Sequence, residues 1–252
     1  MTNYTHRIEV RNLLKRFRIR RRQPGILGLI ASKFKSGAVS FEALSGIDMS
    51  VDDGEVVGVI GRNGSGKSTL LKIIAGLLEE TDGSVRMNGE VLYLSGFSHG
   101  SNPYLTVRQN IFLVGSIFGL RSREIRKKMR DILQFAGLGE FLDTEAYKLS
   151  AGMAMRLDVS VLFHCMEHAR PSVLLLDEIL STGGDIEFHE KSMNKIENLI
   201  KSGSSVVIAS HDLELIRAYC TRALWIEKGK IMSAGPAPEV AHDHEHSGSK
   251  RG

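Results

Sequence analysis

Residues 61–68, GRNGSGKS, fit the phosphate-binding pattern G-x-x-x-x-G-K-[ST]. They stand between an apolar run, VVGVI, and a segment containing LLKII, so the loop is predicted to join a strand to a helix. Glycines let the backbone curl until successive N–H groups point into one concavity, and the following helix adds its positive end. The pattern therefore predicts a site for the β-phosphate of a nucleotide.

Side chains in this loop have separate predicted roles. Lys67 is expected to bridge the β- and γ-phosphates, and Ser68, or Thr69 beside it, to supply a hydroxyl ligand for Mg²⁺. The predicted nucleotide-binding residues of the loop are Gly61, Arg62, Asn63, Gly64, Ser65, Gly66, Lys67, Ser68 and Thr69.

Two other apolar runs end in polar side chains. Residues 173–178, VLLLDE, indicate a buried parallel strand that delivers two carboxylates at its C-terminal edge. Asp177 is predicted to hold Mg²⁺ through water, and Glu178 to orient and polarise the water that attacks the γ-phosphate. Residues 205–211, SVVIASH, place His211 at a similar edge, where an imidazole could reach the γ-phosphate. A lone histidine in such a place is more often structural.

Residues 149–153, LSAGM, are predicted to open a helix with Ser150 as the N-cap. A small residue and Gly152 leave the free amides of the first turn exposed, and such a helix end binds anions. Taken by itself, the segment indicates only a capped helix.

Strands and helices must position these groups. Near the N-terminus, strands are predicted for residues 6–10, 13–19, 47–51 and 55–60, then a helix for 67–77 and strands for 84–87 and 90–94. A helical region, 106–168, contains turn signals at Gly119, Gly137 and Gly139. Strand and helix then alternate over 173–177, 186–201, 204–210, 213–220 and 223–227. This order predicts an α/β fold with a P-loop NTPase core, an N-terminal antiparallel β portion and an inserted helical lobe at about residues 106–165.

Composition excludes several classes of protein. The length of 252 residues fits one large domain or a domain with a lobe, and 42% apolar with 25% charged residues is typical of a soluble globular chain. A net charge of +4 is too small for a dedicated nucleic-acid binder, so no nucleic-acid partner is expected. No run approaches the roughly eighteen apolar residues of a spanning helix. The two cysteines suit a reducing compartment, and the polar residues 236–252 are predicted to be disordered.

The chain resembles the ATP-binding subunits of ABC transporters over about residues 6–235. The resemblance rests on the order and spacing of four segments, GRNGSGKS, LSAGM, VLLLDE and SH. The resemblance implies an ATPase that binds ATP and Mg²⁺, forms a head-to-tail homodimer on ATP binding, and works with transmembrane permease subunits through its helical lobe. It makes Glu178 the catalytic carboxylate, His211 the switch histidine and Lys67 a phosphate ligand. Phe17 matches the aromatic that stacks on adenine, with Phe41 as a fallback. The segment that contacts ATP across the dimer corresponds to Ser150, Ala151, Gly152 and Met153.

Finer features resemble the subgroup that exports O-antigen, capsule or teichoic acid chains. These are LTVRQNI at residues 105–111, LSAGM with no glutamine after it, GDIEF at 184–188, and a helix-like insert at 24–40 that would face the permease. The implied function is ATP hydrolysis that powers export of a polysaccharide or lipid-linked glycan from the cytoplasmic face of the cell membrane. Alternatives are an exporter of lipid, drug or peptide, a soluble ABC-type ATPase, and a nucleotide-binding regulator without turnover.

The chain departs from the family pattern at two places. Residues 95–100, SGFSHG, stand where the family has a glutamine that ligands Mg²⁺, and one extra residue precedes Asp185, the match for an aspartate at the dimer contact. Histidines outside the motifs, His164 with His168 and His242 with His244 and His246, are weak candidates for metal binding because no third ligand or fixed scaffold is evident.

Overall fold

The computed structural model describes residues 6–20, 38–95, 101–169, 171–178 and 186–248. The strands are β1 (Ile8–Arg20), β2 (Ala38–Val51), β3 (Val56–Ile60), β4 (Asp82–Met87), β5 (Val91–Ser95), β6 (Val173–Asp177), β7 (Ser205–Ser210), β8 (Arg222–Glu227) and β9 (Lys230–Pro236). The α-helices are α1 (Lys67–Ile74), α2 (Val107–Ile117), α3 (Ser122–Ala136), α4 (Ala151–Ala169), α5 (Ile186–Lys201), α6 (Leu213–Tyr219) and α7 (Ala237–Gly248), and short 3-10 helices form at Gly139–Phe141 and Ala146–Lys148.

The strands form two sheets. A six-stranded sheet has the order β5-β6-β7-β3-β8-β9, in which every neighbouring pair is parallel except β8 and β9. A three-stranded antiparallel sheet has the order β2-β1-β4. The α/β prediction, with its N-terminal antiparallel portion and its helical segment, is confirmed.

The central strands are buried on both faces, which is why they consist of continuous apolar residues. On β3, Val57 and Val59 pack toward α1 and the antiparallel sheet, while Val56 and Ile60 pack into the second core with the helical lobe. Strand β6 alternates in the same way, with Leu175 on the first side and Leu174 on the second. This double burial holds the carboxyl ends of β3, β6 and β7 at one edge of the sheet.

The helical lobe is built from α2, α3 and the first part of α4. Helix α2 begins with a capping box, in which Thr106 accepts from the Gln109 amide and the Gln109 side chain accepts from the Thr106 amide. Helix α3 ends at Gly137, whose φ of 66° lies in the left-handed region that favours glycine. The capping box therefore sets the start of α2, and Gly137, one of the predicted turn positions, sets the end of α3.

The N-terminal strands differ from the prediction. Residues 6–10 and 13–19 were predicted as separate strands, yet they belong to one strand, β1, with register shifts on both sides of Leu13. Asn12 takes a positive φ of 45° at this irregularity, and its amide donates to the Asp48 carboxylate at 2.8 Å. The strand continues through residues 11 and 12 because a bulge accommodates them, and the pairing with β2 resumes at Leu13. Of the insert predicted at residues 24–40, residues 24–37 lie outside the described residues, and residues 38–40 begin β2.

The prediction of a disordered segment at residues 236–252 is wrong for residues 237–248, which form α7. Its buried residues, Ala237, Val240 and Ala241, recur at helical spacing and pack beneath β8 and β9. On the outer side, Arg217 of α6 pairs with Glu245 at 2.6 Å. The segment is polar overall, so its three apolar residues were too few to predict a helix from sequence. The helix is stabilised by packing these residues on β8 and β9.

Candidate functional site

The loop between β3 and α1 depends on its glycines. Gly61, Gly64 and Gly66 all have positive φ, at 152°, 78° and 116°. A Cβ at Gly61 would lie 2.2 Å from the Ile226 carbonyl oxygen, so the close approach of β8 also requires glycine there. The loop follows β3 and leads into α1, as the sequence pattern predicts.

The first turn of α1 is suited to bind an anion. Gly66 is the N-cap and offers no side chain to the free amides, and no acidic residue lies in the first turn. The Ser65 hydroxyl is buried and has no hydrogen-bond partner among the described residues. Arg62, Asn63 and Gly64 form the exposed outer part of the loop, so a phosphate chain can approach from solvent.

Lys67 lies at the centre of the site and is only 5% exposed. Its ammonium donates to the Gly61 carbonyl oxygen at 2.7 Å and lies 3.4 Å from the Glu178 carboxylate. The lysine therefore joins the loop to the end of β6, and its charge is available beside the concavity of the loop.

Asp177 and Ser68, the two residues predicted to hold magnesium, lie in contact. The Ser68 hydroxyl donates to Asp177 Oδ1 at 2.9 Å, and Asp177 is 4% exposed. Hydroxyl and carboxylate oxygens are the donors that Mg²⁺ prefers, so this pair fits the ion chemically. Thr69, the alternative hydroxyl, follows Ser68 in the first turn of α1 and is half-buried.

Tyr93 is a part of the site that sequence reasoning missed. Its phenol donates to Asp177 Oδ2 at 2.7 Å, from the neighbouring strand β5. Burial and the hydrogen bond to Asp177 raise the pKa of Tyr93 above its ordinary value, so the phenol keeps its proton and remains the donor. The only sequence signal is an aromatic residue two positions before the end of an apolar strand, which ordinarily indicates packing.

Glu178 and His211 form a close pair above the sheet edge. His211 Nδ1 lies 2.7 Å from Glu178 Oε2, and the Glu178 amide donates to the Ala209 carbonyl at 3.0 Å. Glu178 has a φ of 56°, a left-handed conformation that costs a non-glycine residue about 1 kcal/mol or more. Strain of this kind persists where neighbours hold the residue, here between Lys67 and His211.

Ser150 caps α4 as the sequence predicts. Its hydroxyl accepts from the Met153 amide at 3.2 Å, and Ser150 and Ala151 are exposed while Gly152 and Met153 are half-buried. These residues lie in the helical lobe, whereas the phosphate loop lies in the sheet core.

The two aromatic candidates, Phe17 and Phe41, are cross-strand partners on β1 and β2. Their rings are stacked with centroids 5.6 Å apart and an interplanar angle of 15°. Phe41 is 49% exposed, and the Lys15 ammonium lies 5.1 Å from the Phe17 centroid. The two residues therefore form one aromatic surface, which we call the Phe17–Phe41 surface.

Several sequence candidates lie outside the described residues, namely Gly184, Asp185 and residues 96–100. Within the described ranges, no cluster of three or more His, Cys, Asp and Glu residues could hold a metal. His242 and His246 stack on each other on α7, and His164 Nδ1 donates to the Ser160 carbonyl oxygen of its own helix at 2.7 Å.

A family model described as ABC transporter matches residues 44–181, which include the phosphate loop, the LSAGM segment and both carboxylates. The chain belongs to the ABC transporter family. His211 and Phe17 lie outside the matched stretch. His211 is placed in the site by its contact with Glu178, whereas the role of Phe17 stays a prediction.

The chain is also similar to individual members of the ABC transporter family. It is 38% identical to the O-antigen export system ATP-binding protein RfbB of Myxococcus xanthus, over 81% of this chain and 46% of that protein. It is 38% identical to the teichoic acids export ATP-binding protein TagH of Lactococcus lactis, over 86% and 45%. An RfbB of Klebsiella pneumoniae is 36% identical, over 79% and 78%. The chain thus spans slightly less than half the length of the first two of these relatives.

Solved structures share the ABC cassette fold. The dimeric structure of the bacterial ABC transporter cassette MJ0796 superposes with a TM-score of 0.70 at 24% identity, covering 91% of this chain and 98% of that one. A post-hydrolysis dimer of MJ0796 bound to ADP and Pi gives 0.69 at 22% identity, with the same coverage. None of the helices in the described ranges has both the length and the apolar character needed to cross a membrane.

Proposed function

We propose that this chain is an ATPase subunit that hydrolyses ATP to ADP and phosphate. The observation that supports it is the meeting of Lys67, Asp177, Glu178 and His211 around an uncapped helix N-terminus. A loop that merely turned the chain would not need a buried ammonium, a strained glutamate and a histidine at one sheet edge.

Phosphate binding rests on the backbone of the loop. The free amides of the loop and of the first turn of α1, with the positive helix end, hold the β-phosphate, and Lys67 binds the β- and γ-phosphates. Residues 61–69 are all part of this cradle. The base stacks on the Phe17–Phe41 surface, through Phe17 or, because it is the more exposed ring, Phe41.

Hydrolysis needs a water held in line with the γ-phosphate. Glu178 orients and polarises this water, and His211, 2.7 Å from the glutamate, holds the carboxylate and reaches the γ-phosphate. Ser68 and Asp177 hold Mg²⁺, which when bound neutralises part of the charge on the phosphates. The chain contributes positioning and fixed charge, and no covalent intermediate is required.

A second copy of the chain completes the site. Ser150, Ala151, Gly152 and Met153 present a capped helix end in the lobe, and in the proposed head-to-tail homodimer this end covers the ATP held by the partner. ATP binding closes the dimer, and hydrolysis with phosphate release lets the two copies part. The dimeric MJ0796 cassette supports this arrangement by likeness of fold.

The transported cargo is a cell-surface polysaccharide or its lipid-linked form. Support comes from the relatives, which are ATP-binding proteins of O-antigen and teichoic acid export systems. The partners are transmembrane permease subunits, which the helical lobe engages, and the chain lies peripherally on the cytoplasmic face of the cell membrane.

The experiment is phosphate release by purified protein with Glu178→Gln. We expect turnover at saturating MgATP to fall at least about a hundredfold, because the amide cannot act as a general base, while ATP binding is retained. Glu190→Gln, an exposed glutamate on α5, is the matched control and should keep normal turnover. Normal turnover of Glu178→Gln would refute the catalytic role of this carboxylate.

A further inference from the structure

Both carboxylate oxygens of Asp177 accept hydrogen bonds from hydroxyls on different elements. Ser68 on α1 donates to Oδ1 at 2.9 Å, and Tyr93 on β5 donates to Oδ2 at 2.7 Å. Ser68 is a candidate metal ligand in its own right, whereas Tyr93 is absent from the nucleotide-binding motifs. The role of the tyrosine hydroxyl is therefore not explained by the function proposed above.

The register of β5 and β6 explains how Tyr93 reaches the carboxylate. The two strands are parallel, Tyr93 lies beside Leu175, and Ser95 lies beside Asp177. Leu175 and Asp177 share one face of β6 because side chains alternate along a strand. The tyrosine ring packs on that face with the core around Leu175, and its hydroxyl extends along the sheet to Asp177.

The Tyr93 hydrogen bond ends on a carboxylate, and a hydrogen bond to an ionised acceptor is stronger than one between neutral groups. With Ser68 on the other oxygen, both oxygens of Asp177 are held by donors from separate elements. The Tyr93 hydroxyl therefore restrains the orientation of the Asp177 carboxylate.

Groups that orient a metal ligand affect the metal although they do not touch it. Loss of such an outer partner typically lowers metal affinity 10- to 100-fold. The contributions of the Tyr93 ring and of its hydroxyl can be tested separately, because phenylalanine fills the same space in the core and lacks only the hydroxyl donor.

We propose that Tyr93 is a positioning residue for magnesium that acts through Asp177. The proposal rests on the ATPase function proposed above. The end of β5 is also where the sequence lacks the expected glutamine ligand. Tyr93, two residues before that end, thus influences the metal through the Asp177 carboxylate.

The test is the magnesium dependence of nucleotide binding by the full chain carrying Tyr93→Phe. A nonhydrolysable ATP analogue is titrated by calorimetry over a series of Mg²⁺ concentrations and in EDTA. We expect about a tenfold rise in the Mg²⁺ concentration for half-maximal enhancement of binding, and less than a twofold change in EDTA. Tyr104→Phe, on a residue that is 81% exposed in the lobe, is the matched control and should bind as the unsubstituted chain does.

A double-mutant cycle separates positioning from a general packing effect. In an Asp177→Asn background, Tyr93→Phe should have no further effect on the magnesium dependence, because the residue through which it acts is gone. An unchanged magnesium dependence of Tyr93→Phe overturns the proposal, and so does an equal loss in EDTA or in the Asp177→Asn background. If the unsubstituted chain fails to bind the analogue with Mg²⁺, the ATPase proposal fails and this one falls with it.

Discussion

Asp158 is a buried carboxyl group in α4 and provides a quantitative test of the lobe. It is 8% exposed, and its hydrogen-bond partner is the Ser101 hydroxyl at 3.3 Å. Burial raises the pKa of Asp158 from an ordinary value of 3.8 to about 6, and the Ser101 hydrogen bond opposes this only in part. The folded chain therefore binds this proton more tightly than the unfolded chain does.

The direction of the pH effect follows from that difference. Between pH 4 and pH 6 the folded state holds more protons at this group than the unfolded state, so the free energy of unfolding falls as pH rises. Each pKa unit corresponds to about 1.4 kcal/mol, so ionised Asp158 lowers stability by about 3 kcal/mol at pH 7.5. This destabilisation reaches its full size once the pH is above the folded-state pKa of about 6, and it vanishes below about pH 4, where Asp158 is protonated in both states.

Asp158→Asn removes the charge and keeps the shape and the acceptor for Ser101. We expect the variant to be more stable than the parent by about 1 kcal/mol at pH 4.5 and about 3 kcal/mol at pH 7.5. Urea unfolding followed by far-UV circular dichroism over this pH range measures the gap. Asp131→Asn, an exposed aspartate on α3, is the control and should stay within about 0.5 kcal/mol of the parent. A variant no more stable at pH 7.5, or a gap that persists on acidification, would show that Asp158 is not a desolvated carboxylate.

Two further predictions concern the thiols and the phosphate loop. Burial raises the pKa of Cys165 to about 11 and of Cys220 to about 12, so Ellman's reagent at pH 8 should label neither thiol until urea is added. Rapid labelling of the folded chain would contradict this burial. Gly61→Ala should lower the free energy of unfolding by about 3 kcal/mol, because its Cβ would lie 2.2 Å from the Ile226 carbonyl oxygen. Gly64→Ala, with open space around the position, should cost only about 1 kcal/mol in the same urea titration, and equal losses would argue against the clash.

Several features of the site could be predicted from short segments of the chain. The phosphate loop lies between a strand and a helix, Asp177 ends a buried strand, and Ser150 caps α4. Each of these depends on residues adjacent in sequence. A glycine pattern, an apolar run with a terminal acid, or a cap before a helix carries its own conformational preference.

Other features depend on segments that are far apart in the chain. From sequence alone Tyr93 is interpreted as a packing residue, and only the pairing of β5 with β6 brings its hydroxyl to Asp177. The polar segment that forms α7 is predicted to be disordered, and only its packing on β8 and β9 explains the helix. The pairing of Phe17 with Phe41 likewise required the cross-strand register of β1 and β2.

The amino-acid sequence alone determined the family resemblance and the α/β class, and it predicted which loop residues bind phosphate and which carboxylates serve the site. These rest on local spacing and on the alternation of apolar segments. Only the tertiary structure decided that Tyr93 donates to Asp177 and that Glu178 lies between Lys67 and His211. The physical reason is that a hydrogen bond or an ion pair depends on distances of about 3 Å, which strand order and register set between residues distant in sequence.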